Sequence, residues 1–344
     1  MNLQTIPSEE FLQLSVHLPV VDVRSPGEFI QGHIPGAFNI PLFDNEERAK
    51  VGTTYVKIGK DPAIHLGQSI AEIKKEFYLE RIRKVAPGNQ ILIHCWRGGL
   101  RSEKIAEFFT EFGYQVWVLE GGYKSYRGFI RRQFSQERPV FILGGYTGSG
   151  KTAILNEMAK LENQTIDLEA LANHKGSIFG HLGQGNQPTT EQFENNLYAK
   201  WAVYDLKKPL WLEHESVSIG HVFLPDTFFR TMLQGILFLV DLPKTYRISR
   251  LVEEYSCFDN LTLQALIGHL GNYMGGNRAK QALQALQNRD FEQVASITLE
   301  YYDKLYDNSL INRPVRKIVK VPLPAGDVAE NARIVLKFAA DFRD

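Results

Sequence analysis

Gly144-Gly145-Tyr146-Thr147-Gly148-Ser149-Gly150-Lys151-Thr152 decides how the second half of this 344-residue chain is built. Within it, Gly145-x4-Gly150-Lys151-Thr152 is the full P-loop pattern. The apolar run 140–143 reads as a strand and a helix-like run opens at Thr152, the context in which the pattern carries meaning. Gly145, Gly148 and Gly150 let backbone N–H groups approach phosphate oxygens, with Thr147 and Ser149 completing the cradle. Lys151 neutralises charge, and the Thr152 hydroxyl is placed to hold Mg²⁺.

Working outward, further strands are predicted at 164–167, 209–213, 235–241 and 315–321, with helical patterns between them. Together with 140–143 they make a five-strand α/β sheet. Residues 261–310 are helix-rich without a strand signal, which marks a helical subdomain at about 258–312. A P-loop metal needs an acidic residue at a neighbouring strand end, and three strands end in acids: Asp167, Glu213 (with Glu215) and Asp241. By analogy with P-loop kinases, Glu213 joins Thr152 as a Mg²⁺ ligand and Asp167 faces the acceptor. Asp241 reads as a solvated strand end. The segment from His174 through Lys175, Gly176 and Ser177 to Gly183 is too polar and glycine-rich for a core element. It is expected to overhang the site, with His174 and Ser177 as contact candidates and His181 as a further one; a bland turn competes for each histidine.

Toward the N-terminus, 19–23, 90–94 and 115–119 read as buried parallel strands. The middle one runs into Cys95-Trp96-Arg97-Gly98-Gly99-Leu100-Arg101-Ser102. A cysteine between a strand and a helix N-terminus lies in a favourable field, and Arg97 and Arg101 add positive potential; both favour thiolate. Successive N–H groups of a Gly-Gly loop can converge on an anion attached to sulfur. This suits a thiolate that carries a transferred group as a persulfide or its selenium analogue. A buried, inert cysteine is the competing reading. Cys257, without basic or glycine neighbours, reads as structural.

Composition bounds the alternatives. Hydrophobic residues make up 44% and charged residues 23%, ordinary for soluble globular chains, and the length fits two domains. These are placed at 1–134 and 135–344, with a basic junction between them. The formal net charge is zero, so nucleic-acid binding has to come from local patches. Arg127, Arg131, Arg132 and Arg138 form one candidate patch, and Arg313, Arg316, Lys317 and Lys320 another, with scattered solubilising charge as the alternative. Glu194, Asn195 and Asn196 read as a solvated helix face. Phe223, Phe228, Phe229 and Met232 either line an apolar tunnel or pack a core. Met1-Asn2-Leu3-Gln4-Thr5-Ile6-Pro7 has neither the basic start nor the apolar core of a signal peptide, and no apolar run approaches roughly 20 residues. Two cysteines make no disulfide framework, so a cytoplasmic chain with reduced thiols is expected.

About residues 5–130 resemble the rhodanese family. The matching stretches are Val21-Asp22-Val23-Arg24-Ser25-Pro26-Gly27-Glu28-Phe29, Gly32-His33-Ile34-Pro35-Gly36-Ala37-Phe38-Asn39-Ile40-Pro41, the Cys95 loop and Val118-Leu119-Glu120-Gly121-Gly122-Tyr123. The resemblance implies a rhodanese-like parallel sheet ahead of the P-loop NTPase-like domain, with Asp22 and Arg24 bracing the site. Cys95 to Arg101 reads C-x5-R, longer than the common rhodanese loop and similar in size to phosphatases of that fold.

Essentially the whole chain is similar to the family of tRNA 2-selenouridine synthases. The carriers are His94 to Ser102, Gly144 to Thr152, Asp167-Leu168-Glu169, Asn173 to Ser177, and Glu213-His214-Glu215-Ser216 followed by Ile219-Gly220. Lys175 stands where arginine is expected, and His214 where a small or acidic residue is expected. The resemblance implies replacement of sulfur by selenium in wobble 2-thiouridine, through S-geranylation from geranyl diphosphate and then selenation from selenophosphate. It makes Cys95, Arg97 and Arg101 catalytic and gives the P-loop to the donor diphosphate. The implied partners are tRNA, through its anticodon loop, and a selenophosphate-producing enzyme, with no membrane. Two alternatives stand beside it: a sulfurtransferase or phosphatase domain fused to an ATP-dependent small-molecule kinase, and a non-catalytic RNA- or nucleotide-binding adaptor.

Overall fold

A computed structural model describes residues 4–312 and 317–342. They divide into two compact units. The first runs to Gln133 and includes Glu194–Ala199; the second comprises Phe134–Phe193 and the chain from Lys200 onward. The sequence pattern had grouped 194–199 with the second half.

The first unit is built on five parallel strands, β1 (Gln4–Ile6), β2 (Val20–Asp22), β3 (Phe38–Asn39), β4 (Gln90–His94) and β5 (Gln115–Leu119). Their order is β1-β5-β4-β2-β3. Apolar residues on both strand faces explain why the sheet is buried on both sides. Val21, Ile91, Ile93 and Val118 pack on one face with Phe109 and Tyr78. Val20, Leu92, Trp117 and Leu119 pack on the other with Phe11, Tyr126 and Ile130. The edge strands β1 and β3 were not foreseen, because three and two residues carry no readable alternation.

The second unit holds β6 (Val140–Gly145), β7 (Gln164–Ile166), β8 (Leu210–Glu213), a short antiparallel pair β9 (Ser218–Ile219) and β10 (Val222–Phe223), then β11 (Ile236–Asp241) and β12 (Lys317–Pro322). The main sheet is parallel with order β12-β11-β6-β8-β7. The predicted strand 315–321 starts outside the described residues and is seen from Lys317. Helices Asn260–Met274, Gly276–Gln287 and Phe291–Asn312 fill the helix-rich region, joined by an apolar cluster that includes Ile267, Leu270, Ala282 and Leu286.

In each main sheet the strand order reverses beside one central strand, β4 in the first and β6 in the second. The carboxyl ends of strands at such a switch point leave an open crevice, and there parallel α/β sheets place ligands. Cys95 and the P-loop follow directly from those two strands.

Several surface assignments are corrected. Glu194 and Asn195 are buried in helix Thr190–Trp201 rather than solvated. The Asn195 amide donates to Tyr123 Oη and to the His33 carbonyl, both at 2.8 Å, and its oxygen accepts from Arg127 Nη1 at 2.6 Å. Glu194 pairs with Arg127 and with Arg131, the latter at 3.1 Å. Arg138 is buried too, donating to the Trp201 and Asp205 carbonyls over the Trp201 ring. The junction arginines Arg127 and Arg138 are thus spent on internal partners and cannot follow a phosphate backbone. Of the second basic patch, Arg313 and Arg316 lie outside the described residues, whereas Lys317 and Lys320 are exposed on β12. Phe228 and Met232 are core, while Phe223 is exposed, which removes the tunnel.

Candidate functional site

In the first unit, Cys95 follows β4 and its loop leads into helix Leu100–Glu111. The loop is interlocked with the Gly121-Gly122 turn. Tyr123 N–H donates to the Cys95 carbonyl at 2.8 Å and Lys124 N–H to that of Trp96 at 3.0 Å. Gly122 has φ of 60°, and a Cβ there would lie 2.4 Å from Gly98 N and 2.5 Å from Cys95 O. Only glycine lets the two backbones approach this closely. Cys95 itself is 3% exposed and borders the apolar cluster around Ile93 and Phe109. Its Sγ is nevertheless turned to polar groups at the start of the helix, 3.2 Å from Ser102 Oγ and 3.9 Å from the Gly99 carbonyl.

Arg97 is exposed, and Arg101 pairs with Glu28 at 3.0 Å. Among the described residues neither guanidinium hydrogen-bonds Sγ. A fully buried Asp22–Arg24 pair at 2.6 Å lies at the strand ends, with the Arg24 Nη2 also donating to the Gly32 carbonyl. The Arg24 guanidinium stacks on Tyr123 at 3.8 Å. Burial works to raise the Asp22 carboxyl, but His94 and Arg24 outweigh it and hold the group below its usual range. Burial also pushes the His94 ring down, toward its neutral form.

In the second unit the P-loop joins β6 to helix Lys151–Lys160. It borders a cavity of about 710 Å³ that Gly145, Thr147, Gly148, Gly150, Lys151 and Thr152 share with Asp167, Glu169, Ser177 and Arg250. Thr152 Oγ1 donates to Glu213 Oε1 at 2.6 Å and also lies 3.0 Å from Glu169 Oε2. Glu213 Oε2 accepts from the Leu168 and Glu169 N–H groups, at 3.0 and 3.1 Å. Asp167 caps the short helix Leu168–Ala172 through Ala170 N–H at 2.7 Å. Burial pushes Glu213 well up, and Glu169, Asp167 and Glu215 add to it; burial raises Asp167 and Glu169 as well. Lys151 Nζ lies 3.3 Å from the Gly145 carbonyl. Ser149 is buried with its Oγ lacking a hydrogen-bond partner among the described residues.

Sequence reasoning missed four participants. Glu169 stands beside Glu213 on Thr152. The Arg250 guanidinium lies over the loop, 2.7 Å from where a Gly150 Cβ would be. Helix Phe291–Asn312 supplies Tyr306, whose hydroxyl accepts from Gly145 N–H at 2.8 Å, and Asp307, which accepts from Tyr146 Oη at 2.7 Å. Those last partners are 161 residues away, beyond any local signal. Of the overhanging segment, Lys175, Gly176 and Ser177 reach the cavity, with Lys175 paired to Glu254. His174 does not border it; its Nδ1 accepts from Gly176 N–H, and burial with His181 lowers its affinity for a proton. His214 contacts Tyr306 Oη at 3.0 Å. Cys257 is exposed, not part of a core.

The test for Mg²⁺ rests on this donor set. A P-loop metal takes one hydroxyl and one or two carboxylates and completes its shell with water and phosphate. Thr152 with Glu213 fits that requirement, and the excess of buried carboxyl groups is a charge a cation would balance. No all-protein cluster of three or more metal-ligating side chains occurs among the described residues. No helix among them is long and apolar enough to cross a membrane.

Comparison with known proteins matches the description "tRNA 2-selenouridine synthase AAA domain" to residues 138–290 and "Rhodanese-like domain" to residues 8–128. A tRNA 2-selenouridine synthase of Shewanella denitrificans is 32% identical, covering 93% of this chain and 96% of its own length. That of Nitrosomonas europaea is 31% identical, covering 88% and 91%. Among solved structures, the N-terminal domain of a putative ATP/GTP binding protein from Clostridium difficile is 39% identical over 37% of this chain and 98% of its own, with a TM-score of 0.35. The two full-length relatives span both units with little left over, and the chain therefore belongs to the tRNA 2-selenouridine synthase family of enzymes.

Proposed function

We propose that this enzyme exchanges sulfur for selenium in wobble 2-thiouridine of tRNA in two steps, each run by one unit. The observation that carries the reading is the pairing, in one chain, of a thiol at the end of β4 with a phosphate-sized cradle at the end of β6. In the first step the thiocarbonyl sulfur attacks C1 of geranyl diphosphate. The C–S bond forms, the C–O bond breaks, and diphosphate leaves with the electron pair. Converging P-loop amides, Lys151 and Arg250 stabilise the charge that develops on that leaving group. When bound, Mg²⁺ held by Thr152 and Glu213 would supply further charge to the diphosphate.

Alkylation turns a poor leaving group into a good one. In the second step the Cys95 thiolate attacks C2 of the S-geranyl nucleoside; the C2–Sγ bond forms, the C2–S bond to the geranyl sulfur breaks, and geranyl thiol departs with a proton. The selenium of selenophosphate then attacks the same carbon; the C2–Se bond forms and the C2–Sγ bond breaks, which frees Cys95 as thiolate. Water takes the phosphoryl group from selenium as inorganic phosphate, so no oxidant or reductant is needed. The target base belongs to a single-stranded loop, so splaying it into a pocket costs little. All co-substrates are water-soluble anions, which suits a cytoplasmic enzyme supplied by a selenophosphate-producing partner.

Nucleoside mass spectrometry of thiolated tRNA, with geranyl diphosphate and selenophosphate varied separately, tests the scheme. Cys95→Ala should accumulate the S-geranyl nucleoside, and Lys151→Ala should stop it forming. Selenouridine made by Cys95→Ala would refute the thiol's role. ATP turnover independent of tRNA would favour a kinase reading of the second unit instead.

A further inference from the structure

We infer that an apolar groove in the first unit holds the prenyl chain of the S-alkylated nucleoside while C2 is attacked at Cys95, an inference that rests on the two-step reading above. The groove encloses about 460 Å³, within the roughly 300–1,000 Å³ of small-ligand pockets. It lies among helices Asn45–Lys57, Lys60–Ile73, Lys75–Val85 and Leu100–Glu111. Phe43, Val51, Ile64, Ala71 and Phe108 give it aliphatic and aromatic walls.

Two further observations say what it takes. The first is continuity with the thiol site. Leu100 and Arg101 line the groove, and the next residue, Ser102, lies 3.2 Å from Cys95 Sγ, so the first turn of helix Leu100–Glu111 borders both the groove and the sulfur. The second is charge. Arg48, Lys60, Lys75, Arg101 and Lys104 line it; Glu28 pairs with Arg48 and Arg101, Glu72 with Lys75 and Glu107 with Lys104, which leaves the border with more cations than carboxylates. Apolar walls with a cationic border suit an aliphatic chain carried by a group flanked with phosphates, as an alkylated nucleotide within RNA is. The P-loop cavity sets Leu251, Tyr255, Tyr302 and Leu305 beside its amides and carboxylates, a seat for the donor diphosphate and its chain before transfer.

The test uses the full-length protein and calorimetric titration with three probes: S-geranyl-2-thiouridine, S-methyl-2-thiouridine and geranyl diphosphate. The geranyl nucleoside should bind about a hundredfold more tightly than the methyl one, the ratio expected for three to four buried carbons. Gly52 lines the groove from helix Asn45–Lys57, and a Cβ there would meet only Arg48 Nη1, at 3.7 Å. Gly52→Phe therefore fills the groove without backbone strain and should cut the preference to within about threefold, leaving S-methyl binding unchanged as the control for folding. Ile64→Asp, which puts a charge in the wall, should do the same. A wild-type protein with no geranyl preference, or one that both variants retain, overturns the inference. So does groove-dependent binding of geranyl diphosphate without a preference for the alkylated nucleoside, which would make the donor the occupant. A parallel turnover arm supplies pre-alkylated RNA and selenophosphate. Failure of the wild type to convert it, with the groove-dependent preference intact, sinks the two-step reading and leaves the binding site standing.

Discussion

Beneath the Cys95 loop the buried charges cancel, whereas beneath the P-loop they do not. Asp22 and Arg24 neutralise each other at full burial, Arg101 is matched by Glu28, and His94 is pushed toward its neutral form. Around Thr152, by contrast, Asp167, Glu169, Glu213 and Glu215 crowd one region, and burial raises the first three. Both loops set converging backbone amides beyond a central parallel strand. The first is complete as a scaffold and waits for a reactant at one sulfur. The second gathers more carboxyl groups than cations around Thr152, an excess that the proposed metal would offset.

The largest expected effect comes from removing the cation that the P-loop does have. Lys151→Ala should lower the rate of prenylation by about 10²–10³-fold, the range seen when a group that stabilises transition-state charge is lost. Selenation of pre-alkylated RNA should persist, and rapid-quench assays of the two half-reactions separate these outcomes. Equal loss of both would erase the division of labour between the loops.

Next in size is the balanced pair. Arg24→Met leaves the Asp22 carboxylate buried without its partner and should cost about 3–5 kcal/mol in urea unfolding of the first unit. The pH dependence should also weaken. In the native protein the folded Asp22 value is depressed, so its contribution is present above the ordinary 3.8 and is lost as pH falls through the lower folded value. In the variant His94 and the residue-24 N–H still act on Asp22 but the guanidinium does not, so the folded value should rise and this loss of stability on acidification should shrink.

The frustrated cluster predicts the opposite response. Glu213 is raised when folded, so its contribution is present below the ordinary 4.5 and erodes as pH rises through the elevated value. Glu213→Gln keeps an oxygen for the Leu168 and Glu169 amides and a donor for Thr152. It should therefore raise the metal-free Tm by about 2–4 °C at pH 7–8, the shift of about 1 kcal/mol at this size, with little change near pH 4. The stabilisation that Mg²⁺ with diphosphate confers on the native protein should shrink. A metal-free Tm that falls at neutral pH would contradict the cluster's assigned strain. Smallest is Arg101→Ala, which breaks a partly exposed pair with Glu28 and should change stability by within about 1 kcal/mol. A much larger stability loss would show that the first site is not the self-contained scaffold described here.

The two loops were legible because each is a local pattern. Glycine spacing, the flanking apolar run and the following helix all lie within about ten residues, so Cys95 and Lys151 could be placed at strand ends without any tertiary information. The central strands were legible for the same reason, as β4 and β6 are continuous apolar runs. Glu169 escaped as a partner of Thr152 because it lies beyond the strand end, whereas the metal's acid was expected only at Asp167, Glu213 and Asp241. Arg97 and Arg101 read as sources of positive potential near the sulfur by proximity in sequence; that the helix turns Arg101 toward Glu28, 73 residues away, had no local signal. Glu194 and Asn195 looked solvated because polar residues at helical spacing ordinarily are; Arg127 and Tyr123 make them internal.

The sequence by itself determined the two anion cradles, the parallel sheets that carry them and the presence of a thiol loop and a phosphate loop in one chain. Short-range sterics decide those features, since positive φ at glycine and apolar alternation act within a few residues. The tertiary structure alone decided which charges are cancelled, which carboxyls are crowded, and where an apolar groove forms among the helices of the first unit. Those depend on groups brought together from distant parts of the chain, and burial, which sets the strength of every electrostatic contact, exists only after the chain has folded.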